Sequence, residues 1–450
     1  MIQQILFLLV AGVGFAFAIR SFSRVRRNIL LGKPEPVTGP TGPRWRNVLL
    51  VSFGQQKMFK RWLPAVLHAF LYIAFIITQI ELIEIIIDGL GGVHRFFAPK
   101  LGVVYTALIS TIEVLSVLAF VATVVFLVRR NLMAVPRFQK PEMKGWPSRD
   151  ANLILIFEIL LLIGIFCMNG ADYVLQGIDP GHYPDTGALA VSSHLGPLLF
   201  GGFDLASLQV VERFGWWLHF LMVIVFLNYL PFSKHLHILL AFPHTYYASQ
   251  HPRGAMGNMP EIMNEVKSMM GLAEEPAADD AGAELPQFGA RDVTDLSWRT
   301  VLGAYSCTEC GRCTAVCPAN LTGKKLSPRK IMMDIRDRAE EVGGKIASGN
   351  AEYAKNADQP LSGSNFDDGR SLFDAISREE LHACTTCNAC VEACPVLINP
   401  LEPILELRRY EILTESAGPA DWLPMFNALE SSGAVWQMPT PRDQWREAAG

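Results

Sequence analysis

Residues 305–337, YSCTECGRCTAVCPANLTGKKLSPRKIMMDIRD, and residues 381–413, LHACTTCNACVEACPVLINPLEPILELRRYEIL, carry eight of the nine cysteines in two copies of one rhythm. The copies read Cys307-x2-Cys310-x2-Cys313-x3-Cys317-Pro318 and Cys384-x2-Cys387-x2-Cys390-x3-Cys394-Pro395. This is the ligand run for a pair of [4Fe–4S] clusters: the first three cysteines of a run take three corners of one cubane, and the fourth, turned away by its proline, ligates the other. The crossing assigns Cys307, Cys310, Cys313 and Cys394 to one cluster, and Cys384, Cys387, Cys390 and Cys317 to the second. Structural zinc also uses C-x2-C pairs, but one zinc takes four ligands from two pairs. Two full quartets, each closed by a proline, suit clusters better. Cys167 stands apart in the apolar run LILIFEILLLIGIFCMNG (153–170) and reads as a buried small hydrophobe.

The composition divides near residue 245. Of 450 residues, 50% are hydrophobic and 18% charged, and the apolar excess lies in the first half. Five stretches, roughly 2–19, 63–87, 103–128, 152–170 and 214–232, approach or exceed the ~20 helical residues that span a bilayer. A signal peptide is the alternative for the first, but MIQQILFLLV lacks a basic leader and RSFSRVRRN follows as a stop. Arg20 to Arg61 holds ten Lys and Arg and Arg129 to Arg149 holds six, whereas the alternate loops hold Arg95 with Lys100, and Arg213. The positive-inside rule then places the N-terminus outside and everything after Lys234 in the cytoplasm, where thiols stay reduced. The expected location is the inner membrane, multi-pass.

The expected domains are a membrane domain over 1–245, an amphipathic stretch and acidic linker over 246–293, a 4Fe-4S dicluster domain over 294–415, and a tail over 416–450 for partner docking. The fold class is mainly α: a five-helix transmembrane bundle followed by a small helical cluster domain. In LSPRKIMMDIRDRAEEV, Ser327 caps a helix and Pro328 opens it. Gly343–Arg370 is polar and without period. A net charge of −4 gives no footprint for nucleic acid, and no nucleotide or flavin fingerprint is present.

Histidines within spans are costly and functional by default. His219 and His237 lie 18 residues apart. On one continuous helix that is five turns, about 27 Å, on a single face. His68, six residues into the second span, sits at the depth of His237, so the pair can supply both axial ligands of a b haem. His235 is expected to point about 160° away from His237. Gln79, Glu81 and Glu84 occupy the outer half of the second span, and with His219 they form a candidate quinone and proton site. Glu113 and Glu158 add ionisable groups to the third and fourth spans.

RWLPAVLHAFLYIAF (61–75) and RFGWWLHFLMVIVFLNYLPFSKHLHI (213–238) resemble the second and fifth helices of the gamma subunit of respiratory nitrate reductase, a five-helix, two-haem cytochrome b. The resemblance implies that His68, His219 and His237 occupy three of four haem-ligand positions. The fourth is Thr78, which cannot ligate, so one haem held by His68 and His237 is expected, with His219 as the alternative ligand of a second. The two cysteine segments resemble the dicluster domain of heterodisulfide-reductase-like iron-sulfur oxidoreductases, in which a nitrate-reductase-gamma-like membrane domain is often fused ahead. The Cys-Cys-Gly repeats that follow in many members are lacking.

What the resemblance implies is an oxidoreductase subunit for electron transfer. It would link a cytoplasmic redox partner, such as electron-transfer flavoprotein or a dehydrogenase, with menaquinone or ubiquinone, by way of two [4Fe–4S] clusters and b haem. Two alternatives stand beside it. One is the electron-input subunit of a heterodisulfide-type reductase whose Cys-Cys-Gly subunit is a separate chain; the other is a membrane redox sensor.

Overall fold

The computed structural model describes residues 1–252, 254–272, 287–436 and 443–447. Most of the expected acidic linker, 273–286, and parts of the 416–450 tail lie outside the described residues. The chain is mainly α-helical; among the described residues there is no strand, and a single bridge joins Lys33 to Ser297.

Five segments are long and apolar enough to cross a membrane: Ile2–Ile29, Trp62–Gly91, Val103–Asn131, Trp146–Ile178 and Leu205–Phe232. They comprise α1 (Ile2–Ile29), α2 (Trp62–Ile77) with α3 (Gln79–Gly91), α4 (Val103–Asn131), α5 (Trp146–Ile178) and α6 (Leu205–Tyr229). All outrun the apolar cores read from sequence, because helical backbone continues into polar ends such as Arg24–Arg27 of α1, where cations suit a helix C-terminus. Side chains such as Ile5, Leu9, Phe17 and Val121 stand exposed on the bundle surface, which suits hydrocarbon. The bundle closes through α5 on α6, α1 on α6 and α3, and α4 on α2 and α5. Glycines bring α5 and α6 backbone to backbone: a Cβ on Gly164 would stand 2.9 Å from His219 N, and one on Gly215 would stand 2.5 Å from Met168 N.

Two spans depart from the continuous helices assumed above. The second is interrupted at Thr78, where the Thr78 hydroxyl donates to Ala74 O (2.8 Å) and Gln79 Nε2 to Phe75 O (2.8 Å), side chains competing for helix carbonyls. The fifth ends at Tyr229. A 3₁₀ turn, Leu230–Phe232, contains Pro231; Ser233 is extended; a second 3₁₀ turn, Lys234–Leu236, precedes α7 (His237–Tyr247). Proline supplies no amide hydrogen to continue the ladder. The single helical face joining His219 to His237 therefore does not exist.

The cysteine half is built from α8 (Trp298–Tyr305), α9 (Arg312–Val316), α10 (Pro328–Ser348), α11 (Ala389–Ala393), α12 (Leu401–Arg409) and α13 (Trp422–Ser432). Ser327 caps α10 by accepting from Lys330 N. The helix runs on through Gly343 to Ser348, into the segment that reads as polar and without period. Glycine is required there, because a Cβ would stand 2.0 Å from Asn28 Oδ1 of α1. The halves share one core in which Val25 and Ile29 of α1 pack with Val301, Ile331, Ile335 and Leu407. Asn28 Nδ2 donates to Tyr305 Oη (3.1 Å) across the same seam.

Candidate functional site

The two cysteine loops repeat in backbone as well as in sequence. In each, the residue before the second cysteine (Glu309 φ 50°, Thr386 φ 56°) and the one after it (Gly311 φ 69°, Asn388 φ 59°) are left-handed. Alternation of this kind turns successive amide hydrogens to one side, as in the backbone nests of anion and iron-sulfur sites. Gly311 has no room for a side chain, since a Cβ would meet Arg329 Nη1 at 2.4 Å. Thr386 N donates to Cys384 Sγ (3.4 Å) and Ile398 N to Cys394 Sγ (3.2 Å). Helices α9 and α11, each ending at a fourth cysteine, pack against one another.

That packing sorts the thiols into two groups of mixed origin. Burial pushes Cys307 up to about 12, with Cys310 and Cys394 adding repulsion. Cys313 is held well above the ordinary thiol range by burial and by Cys307, Cys310 and Cys394, with Cys390 of the second group adding the least. Burial and Cys310 push Cys394 to about 11. In the second group, burial and then Cys384, Cys317 and Cys387 push Cys390 to about 12. Cys317, Cys384, Cys387 and Cys390 line one pocket, alongside Pro318 and Leu401. Among the described residues no three His, Cys, Asp or Glu side chains converge on a single-ion position. Thiols gathered in fours, with Cys307, Cys317, Cys390 and Cys394 buried and amide hydrogens aimed at sulfur, fit a pair of polynuclear iron-sulfur centres. A cationic centre would offset the cost of bare buried thiolates.

The groups differ in surroundings. Arg312, lowered from its usual value by burial, faces Cys310 and Cys394, while Arg137 is lowered to about 10 by burial and by Arg61 and Arg129. Arg312 Nη1 donates to Lys57 O (3.1 Å), and Lys60 pairs with Glu392. The first group thus presses against the membrane half. Beside it, Glu309 is buried and held below the usual carboxylate range: Lys234 and Arg336 outweigh the cost of burial. In the second group Cys387 is exposed, and Arg408 is the cation facing Cys384.

The histidines gather on the same seam. Asp150, at the start of α5, accepts from Ser233 Oγ (2.7 Å) and Lys234 N (3.1 Å), and His235 N donates to Ser233 Oγ (3.1 Å). This clamp holds the break after α6 in place. His237 Nδ1 meets Lys234 O at 3.0 Å and His68 Nδ1 meets Gln55 Oε1 at 3.1 Å. Both partners only accept, so Nδ1 carries the hydrogen and Nε2 is bare, the tautomer a haem ligand needs. His219 has the same form, with Nδ1 on Leu161 O at 3.1 Å. His235 departs from expectation: its ring lies 5.4 Å from that of His237 rather than on the opposite side, because a 3₁₀ turn separates them. His68, His235 and His237 lie within electrostatic reach of one another, and Arg312 lies within reach of His68.

The expected quinone and proton residues do not converge. His219 makes no hydrogen bond or ion pair with Gln79, Glu81 or Glu84, and Gln79 is spent on its own helix. Glu81 and Glu84 are buried in a separate network around Arg95. Glu113 accepts from Val191 N (2.8 Å) and Ser192 N (3.1 Å), tying down an interhelical loop. Sequence reasoning passed over Gln55, Asp150 and Arg312, which lie in loops or at helix ends with no periodic signal.

Residues 306–398 match the 4Fe-4S dicluster domain, a domain of two clusters. The chain is 27% identical over 465 residues to the probable iron-sulfur-binding oxidoreductase FadF of Bacillus subtilis, covering 99% of this chain and 61% of that protein. It is 25% identical to the EtfAB:quinone oxidoreductase of Syntrophomonas wolfei, over 86% of this chain and 51% of the relative. A probable membrane-anchored ferredoxin of Chromohalobacter salexigens is 37% identical over 31% of this chain and 21% of its own length. The chain thus spans only part of each relative. No solved protein structure matches it. Homologous to iron-sulfur oxidoreductases, it is a membrane protein with a dicluster domain behind five membrane-length helices.

Proposed function

We propose that this chain passes electrons between a cytoplasmic redox partner and the quinone pool, with a membrane domain over 1–245 and a dicluster domain over 294–415. When bound, two [4Fe–4S] clusters and one b haem supply one-electron transfer between two-electron partners. Cys307, Cys310, Cys313 and Cys394 would hold one cluster, and Cys384, Cys387, Cys390 and Cys317 the other. His68 and His237 would hold the haem through their bare Nε2 atoms. The amide hydrogens of Thr386 and Ile398 stabilise charge on sulfur.

One observation carries the reading: Arg312 stands within reach of His68 on one side and of Cys310 and Cys394 on the other. The first thiol group and the haem histidines therefore adjoin. Exposed Cys387 marks the second group as the face for the partner, and the relative named for EtfAB and quinone supports electron-transfer flavoprotein as that partner. The basic residues of the intervening loops support a cytoplasmic cysteine half.

The test is reconstitution of the full chain in vesicles with menaquinone-4 and reduced electron-transfer flavoprotein. Quinol should form only in the presence of the chain. Intact clusters and haem with no quinol formed would contradict the proposal.

A further inference from the structure

At the opposite end of the bundle from the cysteines lies a polar system with no part in holding clusters or haem. Gln4 of α1 donates to Leu90 O there (3.2 Å), whereas Asn28, about 36 Å further along the same helix, meets the cysteine half. A cavity of about 440 Å³, lined by Gln3, Asp88, His94, Tyr183, Arg213 and Trp217 among others, opens at this end.

From that cavity three carboxylates lead inward along α3. Asp88, Glu84 and Glu81 stand at spacings of four and three residues, so they share one helix face, and Glu81 lies about 10 Å deeper than Asp88. All are buried. Asp88 accepts from Arg95 N (2.9 Å) and Phe96 N (3.1 Å); Glu84 accepts from Phe97 N (2.8 Å) and Tyr105 Oη (2.6 Å). Glu81 Oε1 accepts from Asn169 Nδ2 (3.3 Å), and its Oε2 has no partner. One guanidinium braces the row: Arg95 reaches Tyr105 Oη (3.2 Å), Asn169 Oδ1 (2.5 Å) and Asp172 Oδ2 (3.3 Å), and stands 3.9 Å from Glu81.

Two further groups complete the charge count. Arg213 pairs with Glu212 and donates to His94 Nδ1 (3.2 Å). A guanidinium only donates, so the His94 hydrogen sits on Nε2 and is given to Asp172 Oδ1 at 2.6 Å. The network therefore sets five carboxylates, Glu81, Glu84, Asp88, Asp172 and Glu212, against two guanidiniums and a neutral imidazole. Five buried anions against two cations leave places for protons, and the free oxygen of Glu81 is the innermost place.

We propose that Glu81, Glu84 and Asp88 carry protons between the cavity and the membrane interior, so that the chain exchanges its redox protons with the side opposite the cysteines. The idea rests on the quinone reading above: forming one quinol takes two electrons, supplied from the cysteine side, and two protons, supplied along this row. Glu81 is the inner relay and Asp88 the entry. Arg95 is a positioning residue.

The test uses the full chain in vesicles with menaquinone-4 in the membrane, a pH dye trapped in the lumen, and titanium(III) citrate outside as an impermeant reductant that reaches only outward-facing cysteines. The lumen should lose two protons per quinol formed. Glu81→Gln, which keeps the Asn169 bond, should slow this loss about a hundredfold, with cluster EPR signals unchanged and Glu81→Asp recovering part of the rate. If quinol forms at the wild-type rate in Glu81→Gln, or protons come only from outside, the proton row is wrong and the quinone reading stands. If no quinol forms at all, the quinone reading fails and infrared spectroscopy decides the row. A protonated-carboxyl band that exchanges in D2O and is lost in Glu81→Gln supports it; absence of that band overturns it.

Discussion

The two cysteine groups share one backbone and sit in two environments. Each loop has left-handed residues on either side of its second cysteine and ends in an extended cysteine before proline. Around the first group stand Arg312 and Arg137, and loop residues Lys57 and Lys60 of the membrane half contact it; the second has Arg408 and an exposed Cys387. Backbone repetition dictates what is bound, and the neighbouring charges dictate at what potential. A centre ringed by cations is easier to reduce. The buried group next to the histidines should therefore be the stronger electron acceptor, and the exposed group the stronger donor.

The largest effect expected is loss of a whole centre. With each fourth cysteine serving the opposite group, as proposed, Cys394→Ser should abolish the EPR signal of the cluster on Cys307, Cys310 and Cys313, and Cys317→Ser that of the other. Loss of the cluster within the same run in either variant would break the crossed comparison. Next in size is the haem. His68→Ala should remove the b-type spectrum and His219→Ala should retain it, with a pyridine haemochrome assay giving one haem per chain. Two haems per chain would show that His219 has a ligand partner on the second span.

A smaller change should loosen the first group from the membrane half without touching a ligand. Glu309→Gln leaves Lys234 and Arg336 buried without their carboxylate, a loss of about 3–5 kcal/mol for a broken buried pair. Thermal unfolding followed by cluster absorbance should show the drop, whereas Glu379→Gln, on the exposed pair with Lys325, should leave the midpoint nearly unmoved. The smallest effect is electrostatic. Arg312→Gln should lower the potential of the first cluster by about 40 mV, equivalent to about 1 kcal/mol for one electron, and leave the second unchanged.

Much of this was readable from the chain. Cysteine spacing carries its own chemistry, and apolar runs longer than a bilayer leave few alternatives. The cap at Ser327 followed from local residues alone. The histidine geometry was not readable. Periodicity carried one helix from His219 to His237, but Pro231 and the Asp150 clamp break it, and Asp150 lies 83 residues from Ser233 in sequence. The same holds for Glu81 and Glu84, whose setting depends on Arg95 in a loop and Asp172 on another helix. Gly343 opens a stretch without period, and only Asn28 of α1 against it shows why a glycine stands there within a helix. Local rules describe local structure, and these contacts are long-range.

An EPR-monitored redox titration of the full chain, run on the wild type, Cys394→Ser and Cys317→Ser, separates the two cysteine groups by their potentials. Crossed ligation in unequal surroundings should give two [4Fe–4S] centres of unequal potential in the wild type, the higher missing from Cys394→Ser and the lower from Cys317→Ser. Equal potentials, or loss of the lower-potential centre in Cys394→Ser, would contradict it.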